Sequence, residues 1–308
     1  MSSSIQLFRI GDQVEALVGL TVPLEAKLQR LIEDNMESFF DISFLASEYS
    51  TGRVHGGRID SLGIDSTNCP VIVEYKRSLN ENVMNQGLYY LDWLLDHKAE
   101  FELLVLNKFG RGQANQIDWN GARLLCIAGN FTKYDEYAVK QINRNIELYR
   151  YVKYGEDLLL FELVNAVISQ KNSTITEYET NKESNATTSS GKTVQQFIDG
   201  SPETLKDLYK ILKDYCTQLG DDVTEKIGKQ QVVFKRFKNF ACVEVHPRDH
   251  ELVVYVKVDP DSVSMENGFT RDMRGIGHWG TGDLEIRIRE QAQLGKANEL
   301  IQRSYDLS

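Results

Sequence analysis

A polar stretch past the middle of the sequence, QKNSTITEYETNKESNATTSSGK at residues 170–192, governs how the chain is organised. It is rich in Ser, Thr, Asn, Glu and Lys and has almost no large apolar residues. Such a segment cannot bury enough apolar surface to offset the entropy lost on ordering, so it predicts a flexible linker. The sequence therefore predicts two domains, residues 1–169 and residues 193–308, each long enough to bury a core of its own.

Composition narrows the classes of protein that fit this chain. The four cysteines are scattered and none forms a C-x-x-C pair. This argues against a zinc site and favours a reduced, cytoplasmic setting. No apolar run reaches the roughly 18 residues of a transmembrane helix, and the first residues lack a signal-peptide core, so we expect no membrane partner. The net charge of -10 argues against a protein that coats nucleic acid by bulk charge, but it allows a local basic cleft.

The first domain alternates helix and strand patterns. VPLEAKLQRLIEDNMESFF predicts a helix, and DISFLASEYS, GRIDSLGID and VIVEYKR predict three strands. NENVMNQGLYYLDWLLDHKAE then predicts a helix, FELLVLNK and GARLLCIAG two strands, TKYDEYAVKQINRNIELYRYV a helix and DLLLFELV a last strand. This order predicts an α/β fold in which helices flank a mixed sheet.

The second domain has the pattern of an α+β fold. Ser201 and Pro202 predict the start of a helix, as its N-cap and its first helical residue. The strands QQVVFKRF, FACVEVHP and ELVVYVKVD follow, then a Gly-rich loop, the strand LEIRIR and a final helix. Two features of this domain could bind a ligand, but each has a simpler structural interpretation, which we favour. FKRFKNF is explained by strand alternation, and the cluster of Arg271, Arg274, His278 and Trp279 is explained by a structured turn.

The strand VIVEYKR carries the residues from which chemistry can be inferred. Glu74 and Lys76 are two residues apart, so their side chains point to the same side of the strand. The preceding strand contains Asp60, and the short turn between the strands can bring Asp60 beside Glu74. Two adjacent carboxylates repel unless a cation lies between them, and Mg²⁺ prefers such oxygen ligands. An E-x-K alone is typical of a solvated ion pair, but with Asp60 it indicates metal-assisted hydrolysis of a phosphodiester, in which Lys76 orients the water.

The helix after this strand supplies two further candidates. Gln86 and Tyr90 lie one turn apart on one face, where Gln86 could hold a water or phosphate and Tyr90 could contact substrate. Packing is the alternative for Tyr90.

Together these residues resemble the PD-(D/E)xK nuclease superfamily, in its RecB/NucS-like branch. The likeness spans roughly residues 24–164 and rests on Asp60, the EYK of Glu74 to Lys76, and QGLYY in the next helix; Ile59 departs from the proline of the family motif. It implies a restriction-endonuclease-like fold. It also implies that Asp60 and Glu74 bind metal, that Lys76 is catalytic, and that Gln86 and Tyr90 assist.

The family often adds an acidic residue from the first helix, for which Glu25 is our choice and Glu37 the alternative. The second domain resembles an uncharacterised domain sometimes labelled "predicted transport protein", on the strength of RGIGHWGTGDLEIRI; this implies no activity.

The resemblance implies a cytoplasmic deoxyribonuclease that uses Mg²⁺ or Mn²⁺, binds DNA, and acts in restriction, phage defence or repair; a homodimer is compatible with it. The second hypothesis is a protein that keeps the nuclease scaffold only to bind nucleic acid or another protein.

Overall fold

The computed structural model describes residues 5–20, 26–76, 83–167, 193–276 and 281–308. The chain divides into two compact units, Met1–Lys171 and Asn172–Ser308. The predicted linker, residues 170–192, lies outside the described residues.

The first unit is built on a seven-stranded mixed sheet and a separate two-stranded hairpin. Its strands are β1 (Leu7–Ile10), β2 (Val14–Leu17), β3 (Gly19–Leu20), β4 (Ile42–Ser50), β5 (Arg58–Asp65), β6 (Pro70–Lys76), β7 (Arg123–Ala128), β8 (Asn145–Tyr154) and β9 (Leu158–Val167). Its helices are α1 (Ala26–Asp34), α2 (Met36–Phe40), α3 (Gly52–His55), α4 (Val83–Asp96), α5 (Lys98–Phe109), α6 (Arg111–Ala114) and α7 (Lys133–Gln141).

The sheet has the order β3-β8-β7-β6-β5-β4, and β9 pairs with β8. The pairs β4–β5, β5–β6 and β8–β9 are antiparallel, whereas β6–β7 and β7–β8 are parallel. On one face Ile72 and Leu124 belong to a buried cluster that includes Leu91 of α4. On the other face Phe40 of α2 packs against Tyr149, with ring centroids 5.1 Å apart. The predicted α/β class, a mixed sheet flanked by helices, is therefore confirmed.

Two of the predicted elements were wrong. FELLVLNK is not a strand but part of α5, in which Phe101 and Val105 are buried one helical turn apart. The pattern TKYDEYAVKQINRNIELYRYV is not one helix, because α7 ends at Gln141 and the second half forms β8. A register shift between Leu148 and Tyr149 interrupts the alternation of this strand, so its period-two pattern is lost.

The second unit is built on a sheet and three helices. These elements are β10 (Thr224–Ile227), β11 (Val232–Lys235), β12 (Asn239–His246), β13 (Glu251–Val256), β14 (Thr270–Asp272), β15 (Leu284–Ile288), α8 (Val194–Asp199), α9 (Glu203–Gln218) and α10 (Leu294–Asp306). The sheet has six strands in the order β10-β11-β12-β13-β15-β14, and every pair is antiparallel. Helices α8, α9 and α10 supply the buried residues Val194, Leu212 and Ile301 to the cluster on one face. The helix α9 starts at Glu203, so Pro202 is its N-cap, one residue later than predicted.

Candidate active site at the carboxyl end of β6

The candidate site lies at one end of the strands of the first sheet, and this side of the sheet is called its edge below. The strand β6 ends there at Lys76, which pairs with Ala128 at the end of the parallel strand β7. The antiparallel strand β5 begins at the same edge, because Ser61 pairs with Val73. Ligands of open α/β sheets bind outside the carboxyl ends of the parallel strands, so this edge is where a binding site is expected.

Asp60 and Glu74 face each other at this edge. The regular register of β5 and β6 ends at Ser61 and Val73, and Asp60 and Glu74 are the next residues on each strand. The backbone N–H of Asp60 donates to Oε1 of Glu74 at 3.1 Å, and the backbone N–H of Tyr75 donates to Oδ2 of Asp60 at 3.0 Å. The hairpin thus brings the two carboxylates together, as its length predicts.

The two carboxylates differ in depth. Ile72 belongs to the cluster beneath α4, and Glu74 is two residues further along β6, so strand alternation places Glu74 on the α4 side. Glu74 is 1% exposed, whereas Asp60 is partly exposed. A carboxylate at that depth is costly unless hydrogen bonds or a cation balance its charge.

Tyr90 connects α4 to the start of β5. Its hydroxyl accepts hydrogen bonds from the backbone N–H of Arg58 and from Nε2 of Gln86, both at 3.1 Å. The ring is 5% exposed, and a Cβ at Gly57 would lie 2.4 Å from it, so only glycine allows the chain to pass this close. Gln86 itself is exposed. The predicted stripe on α4 is therefore formed, and Tyr90 both packs and fixes the chain two residues before Asp60.

Two predicted residues fall outside what can be described. The backbone of Lys76 belongs to β6, but its side chain is outside the described part of the structure. Glu25 precedes α1 and lies in a range that is not described. Glu37, the alternative on the first helical segment, is exposed.

A different acid of the first helical segment reaches β5. Oε1 of Glu33 accepts hydrogen bonds from Oγ of Ser61 at 2.6 Å and from Oγ of Ser47 at 2.8 Å. Ser61 follows Asp60, so its side chain points to the opposite face of the sheet. Sequence reasoning missed this contact. The signal was the spacing of Gln29 and Glu33, one turn apart on α1, which indicates a polar face. In the structure the two side chains are joined by a hydrogen bond of 3.1 Å.

Tyr75 completes this polar group behind the carboxylates. Its hydroxyl lies within hydrogen-bond distance of Oγ of Ser61, at 3.2 Å. Burial raises the pKa of the Tyr75 phenol well above its ordinary value; the Ser61 contact opposes this, and the charges of Glu33, Asp60 and Glu74 add to it. The phenol of Tyr75 therefore stays protonated and neutral beside the acids.

Polar groups in the second unit form ion pairs. His246, Asp249 and Glu251 offer ligand atoms within 4.8 Å of one another. Glu251, however, already pairs with Arg287 at 2.8 Å and Arg289 at 2.6 Å, so these cations account for its charge.

The Gly-rich loop of the second unit has a similar arrangement at its start. Arg274 pairs with Asp261 at 2.8 Å and with Asp272 at 2.7 Å, as expected for a structured turn. His278 and Trp279, which the sequence placed in the same cluster, lie outside the described residues.

Within the described ranges, no helix is both long enough and apolar enough to cross a bilayer.

Comparison with known proteins gives relatives without an assigned activity. Residues 194–308 match the family model described as "Domain of unknown function (DUF5655)". A Haemophilus influenzae protein described as uncharacterised is 26% identical over 286 residues, which cover 91% of this chain and 92% of that protein. No solved structure matches the chain. The second unit is thus similar to a known domain family, and the likeness to the Haemophilus influenzae protein extends over both units of this chain.

Proposed function

We propose that the protein is a metal-dependent nuclease of the PD-(D/E)xK type, with its active site at Asp60, Glu74 and Lys76. The observation that carries the proposal is the pair of cross-strand hydrogen bonds that joins Asp60 to Glu74 and to Tyr75. These bonds place the carboxylate of each acid against the neighbouring strand, at the carboxyl end of β6, where ligands of α/β folds bind.

The donor set fits a hard divalent cation. Asp60 and Glu74 offer only carboxylate oxygens, which Mg²⁺ and Mn²⁺ prefer over nitrogen or sulfur ligands. Asp60 is partly exposed, so one side of the site is open to a phosphate and to water. A cation bound there would polarise the phosphodiester and lower the pKa of an attacking water.

The remaining residues act on the water and the phosphate or hold the site in place. Lys76, by the E-x-K spacing, orients the attacking water and balances the charge that develops on the phosphate. Tyr90 fixes Arg58, and therefore the start of β5, through its 3.1 Å hydrogen bond. Gln86 donates to the same hydroxyl and is exposed, so it can also reach a phosphate oxygen.

The proposed substrate is DNA, and the proposed setting is the cytoplasm, in restriction, phage defence or repair. The competing function is a non-catalytic protein that uses the same scaffold to bind nucleic acid or a protein partner. The two functions differ in what Lys76 does, because a binding protein needs no residue to orient water.

A cleavage assay distinguishes them. Supercoiled plasmid and labelled oligonucleotides are incubated with the protein in Mg²⁺ or Mn²⁺, and the wild type is compared with Asp60→Asn, Glu74→Gln and Lys76→Ala. We expect each substitution to lower the cleavage rate by roughly 100-fold or more, because Asp60 and Glu74 hold the metal that polarises the phosphodiester and Lys76 stabilises the charge that develops on it.

Asp92→Asn is the matched control, because Asp92 is an exposed acid on α4. It should cleave at the wild-type rate. Cleavage that survives the Asp60, Glu74 and Lys76 substitutions contradicts the proposal. Binding of DNA without cleavage in either metal supports the competing function.

A further inference from the structure

An aromatic surface lies beside the candidate site. We define it by Tyr89, His55, His97 and Trp93. Helix α3, which ends at His55, joins β4 to β5 at the same sheet edge as Asp60. Tyr89 precedes Tyr90, the residue that holds the start of β5. The surface is therefore connected to the carboxylates through a short and fixed piece of chain.

The rings of this surface contact one another in a row, from Tyr89 through His55 and His97 to Trp93. The ring centroids of Tyr89 and His55 are 5.6 Å apart, and those of His55 and His97 are 5.5 Å apart. His97 stacks on Trp93, with a centroid distance of 4.7 Å and an interplanar angle of 15°. Trp93 is buried, so the series is anchored in the core and ends at the surface with Tyr89.

Tyr89 is exposed but held in place. Its side chain is 46% exposed, compared with 5% for Tyr90. Its hydroxyl nevertheless donates to the backbone carbonyl of His55 at 3.1 Å. A tethered ring loses little conformational entropy when a ligand stacks on it, so this geometry favours stacking more than a free surface tyrosine does.

The chain around the aromatic surface suits a nucleic-acid strand. Arg53 and Arg58 are exposed on either side of His55 in the sequence. Arg58 pairs with Glu48 at 2.5 Å, so Arg53 is the cation that can contact a phosphate. Val54, the residue before His55 in α3, is 95% exposed and adds an apolar side chain directed to solvent. Gly56, at a φ of +62°, ends α3 and makes this sharp turn possible.

We propose that Tyr89, supported by His55, stacks on an unpaired base of the strand whose phosphate reaches Asp60 and Glu74, so that the preferred substrate is single-stranded nucleic acid. The inference rests on the proposed nuclease function. In a duplex the faces of each base are covered by its neighbours, and a protein ring can stack only on a base that has left the helix. Exposed aromatic rings next to cationic side chains are the usual means of binding single strands.

The test is a binding measurement that does not depend on cleavage. A fluorescein-labelled oligonucleotide, single-stranded or annealed to its complement, is titrated with full-length protein in Ca²⁺, and anisotropy gives Kd. The wild type is compared with Tyr89→Ala, Tyr89→Phe and Tyr89→Leu. Leu103→Ala, on α5 and 55% exposed in the native chain, is the control for loss of a surface apolar group.

We expect Tyr89→Ala and Tyr89→Leu to raise Kd for the single strand by about 5- to 150-fold, the loss of one base stack. Tyr89→Phe keeps the ring and should stay within about 3-fold of the wild type, since it loses one hydrogen bond at a partly exposed position. Duplex binding should change by less than the single-strand value. An oligonucleotide carrying 2-aminopurine should be quenched by the wild type and by Tyr89→Phe, but not by Tyr89→Leu.

The outcomes separate this inference from the proposed function. Cleavage that requires Asp60, with single-strand binding and quenching unchanged in Tyr89→Leu, overturns the stacking role and leaves the nuclease proposal intact. Binding and quenching that depend on Tyr89, without cleavage, support the stacking role and contradict the nuclease proposal. Tighter binding of duplex than of single strand by the wild type also overturns the inference. Tyr89→Leu keeps apolar bulk at this position, so a fold defect in Tyr89→Ala does not decide the result.

Discussion

The backbone N–H of Asp60 donates to Oε1 of Glu74 at 3.1 Å, which fixes two acids of neighbouring strands against each other at the edge of the first sheet. Glu74 is 1% exposed, so its carboxylate is shielded from the water that would otherwise screen its charge. A bound divalent cation would balance both carboxylates at once. The first prediction follows from this geometry.

Divalent metal should stabilise the wild-type protein against heat. At a Mn²⁺ concentration about 100 times Kd, binding to the native state contributes about 2.7 kcal/mol, which corresponds to a rise of roughly 5 to 10 °C in Tm for a domain of this size. Differential scanning fluorimetry with and without Mn²⁺ measures the shift. Asp60→Asn and Glu74→Gln should lose it, and Asp92→Asn should keep it. An equal shift in Asp60→Asn would place the metal elsewhere.

Tyr90→Phe should weaken the start of β5. The substitution removes the oxygen that accepts from the backbone N–H of Arg58, and that donor is partly buried. An unsatisfied donor of this kind costs about 1–3 kcal/mol, which urea denaturation can measure. The cleavage rate should fall as well, because Asp60 is two residues further along. Tyr137→Phe, at a tyrosine that is 68% exposed, should change neither quantity.

Gly57→Ala should disturb the packing of the Tyr90 ring against the chain that leads into β5. The added Cβ would lie 2.4 Å from Cε1 of Tyr90, so the ring or the chain must move. We expect a loss of about 1–3 kcal/mol in the free energy of unfolding, as for other overpacked sites. Gly112→Ala is the comparison, because nothing lies within 4 Å of its added Cβ. It should be neutral or more stable by up to about 1 kcal/mol, since alanine favours a helix.

Arg123→Met should destabilise the first unit at a place away from Asp60 and Glu74. Arg123 pairs with Val71 at the start of β6, whereas the candidate site lies at the end of that strand. Arg123 is buried and pairs with Asp65 and with Glu147. Burial lowers the pKa of its guanidinium, but the charges of those two acids outweigh burial, so the pKa is raised above its ordinary value. Removing the cation leaves buried acids without their partner, which costs about 3–5 kcal/mol by urea denaturation. Arg144→Met, at an exposed arginine, should stay within about 0.5 kcal/mol of the wild type.

The second unit should lose a little stability as the pH rises above neutrality. The hydrogen bond from His246 to Glu244 raises the pKa of the imidazole above 6.5, more than burial lowers it, and the charges of Glu251 and Asp249 add to the rise. A raised folded-state pKa means that the stabilisation is complete below the unfolded-state pKa and is lost as the pH passes through the folded-state pKa.

His246 is partly exposed, so screening limits the effect to less than about 1 kcal/mol. NMR titration of the imidazole should give a pKa above that of an unfolded control. Urea midpoints should fall between pH 6 and pH 8 in the wild type and change less in His246→Asn. A pKa at or below the control value would contradict this assignment.

Local sequence patterns were sufficient for the two strands of the hairpin. GRIDSLGID and VIVEYKR predict β5 and β6, and the short turn between them predicts that Asp60 lies beside Glu74, as found. The same reasoning was wrong for β8 and α5. In β8 a register shift between Leu148 and Tyr149 interrupts the alternation, and FELLVLNK is a short apolar run, which periodicity alone cannot assign to a strand or a helix.

The contacts of the residues next to Asp60 could not be predicted from the spacing of residues in the sequence. Glu33 reaches Ser61 across 28 positions, and Tyr90 reaches Arg58 across 32. Nothing local distinguishes Glu33 from the other acids of the first helical segment. Which acid meets β5 depends on the angle at which α1 packs, and that angle is set by side chains of several elements together.

The sequence by itself determined the two-unit organisation it predicts, the hairpin, and the carboxylates that this hairpin can bring together, because these depend on composition, turn residues and strand alternation within a short piece of chain. Only the tertiary structure decided that Tyr89 stays exposed while Tyr90 is buried, and that His55 of α3 lies against Tyr89. Neighbouring residues on a helix point in different directions, and which of them faces solvent is decided by the elements that pack against the helix.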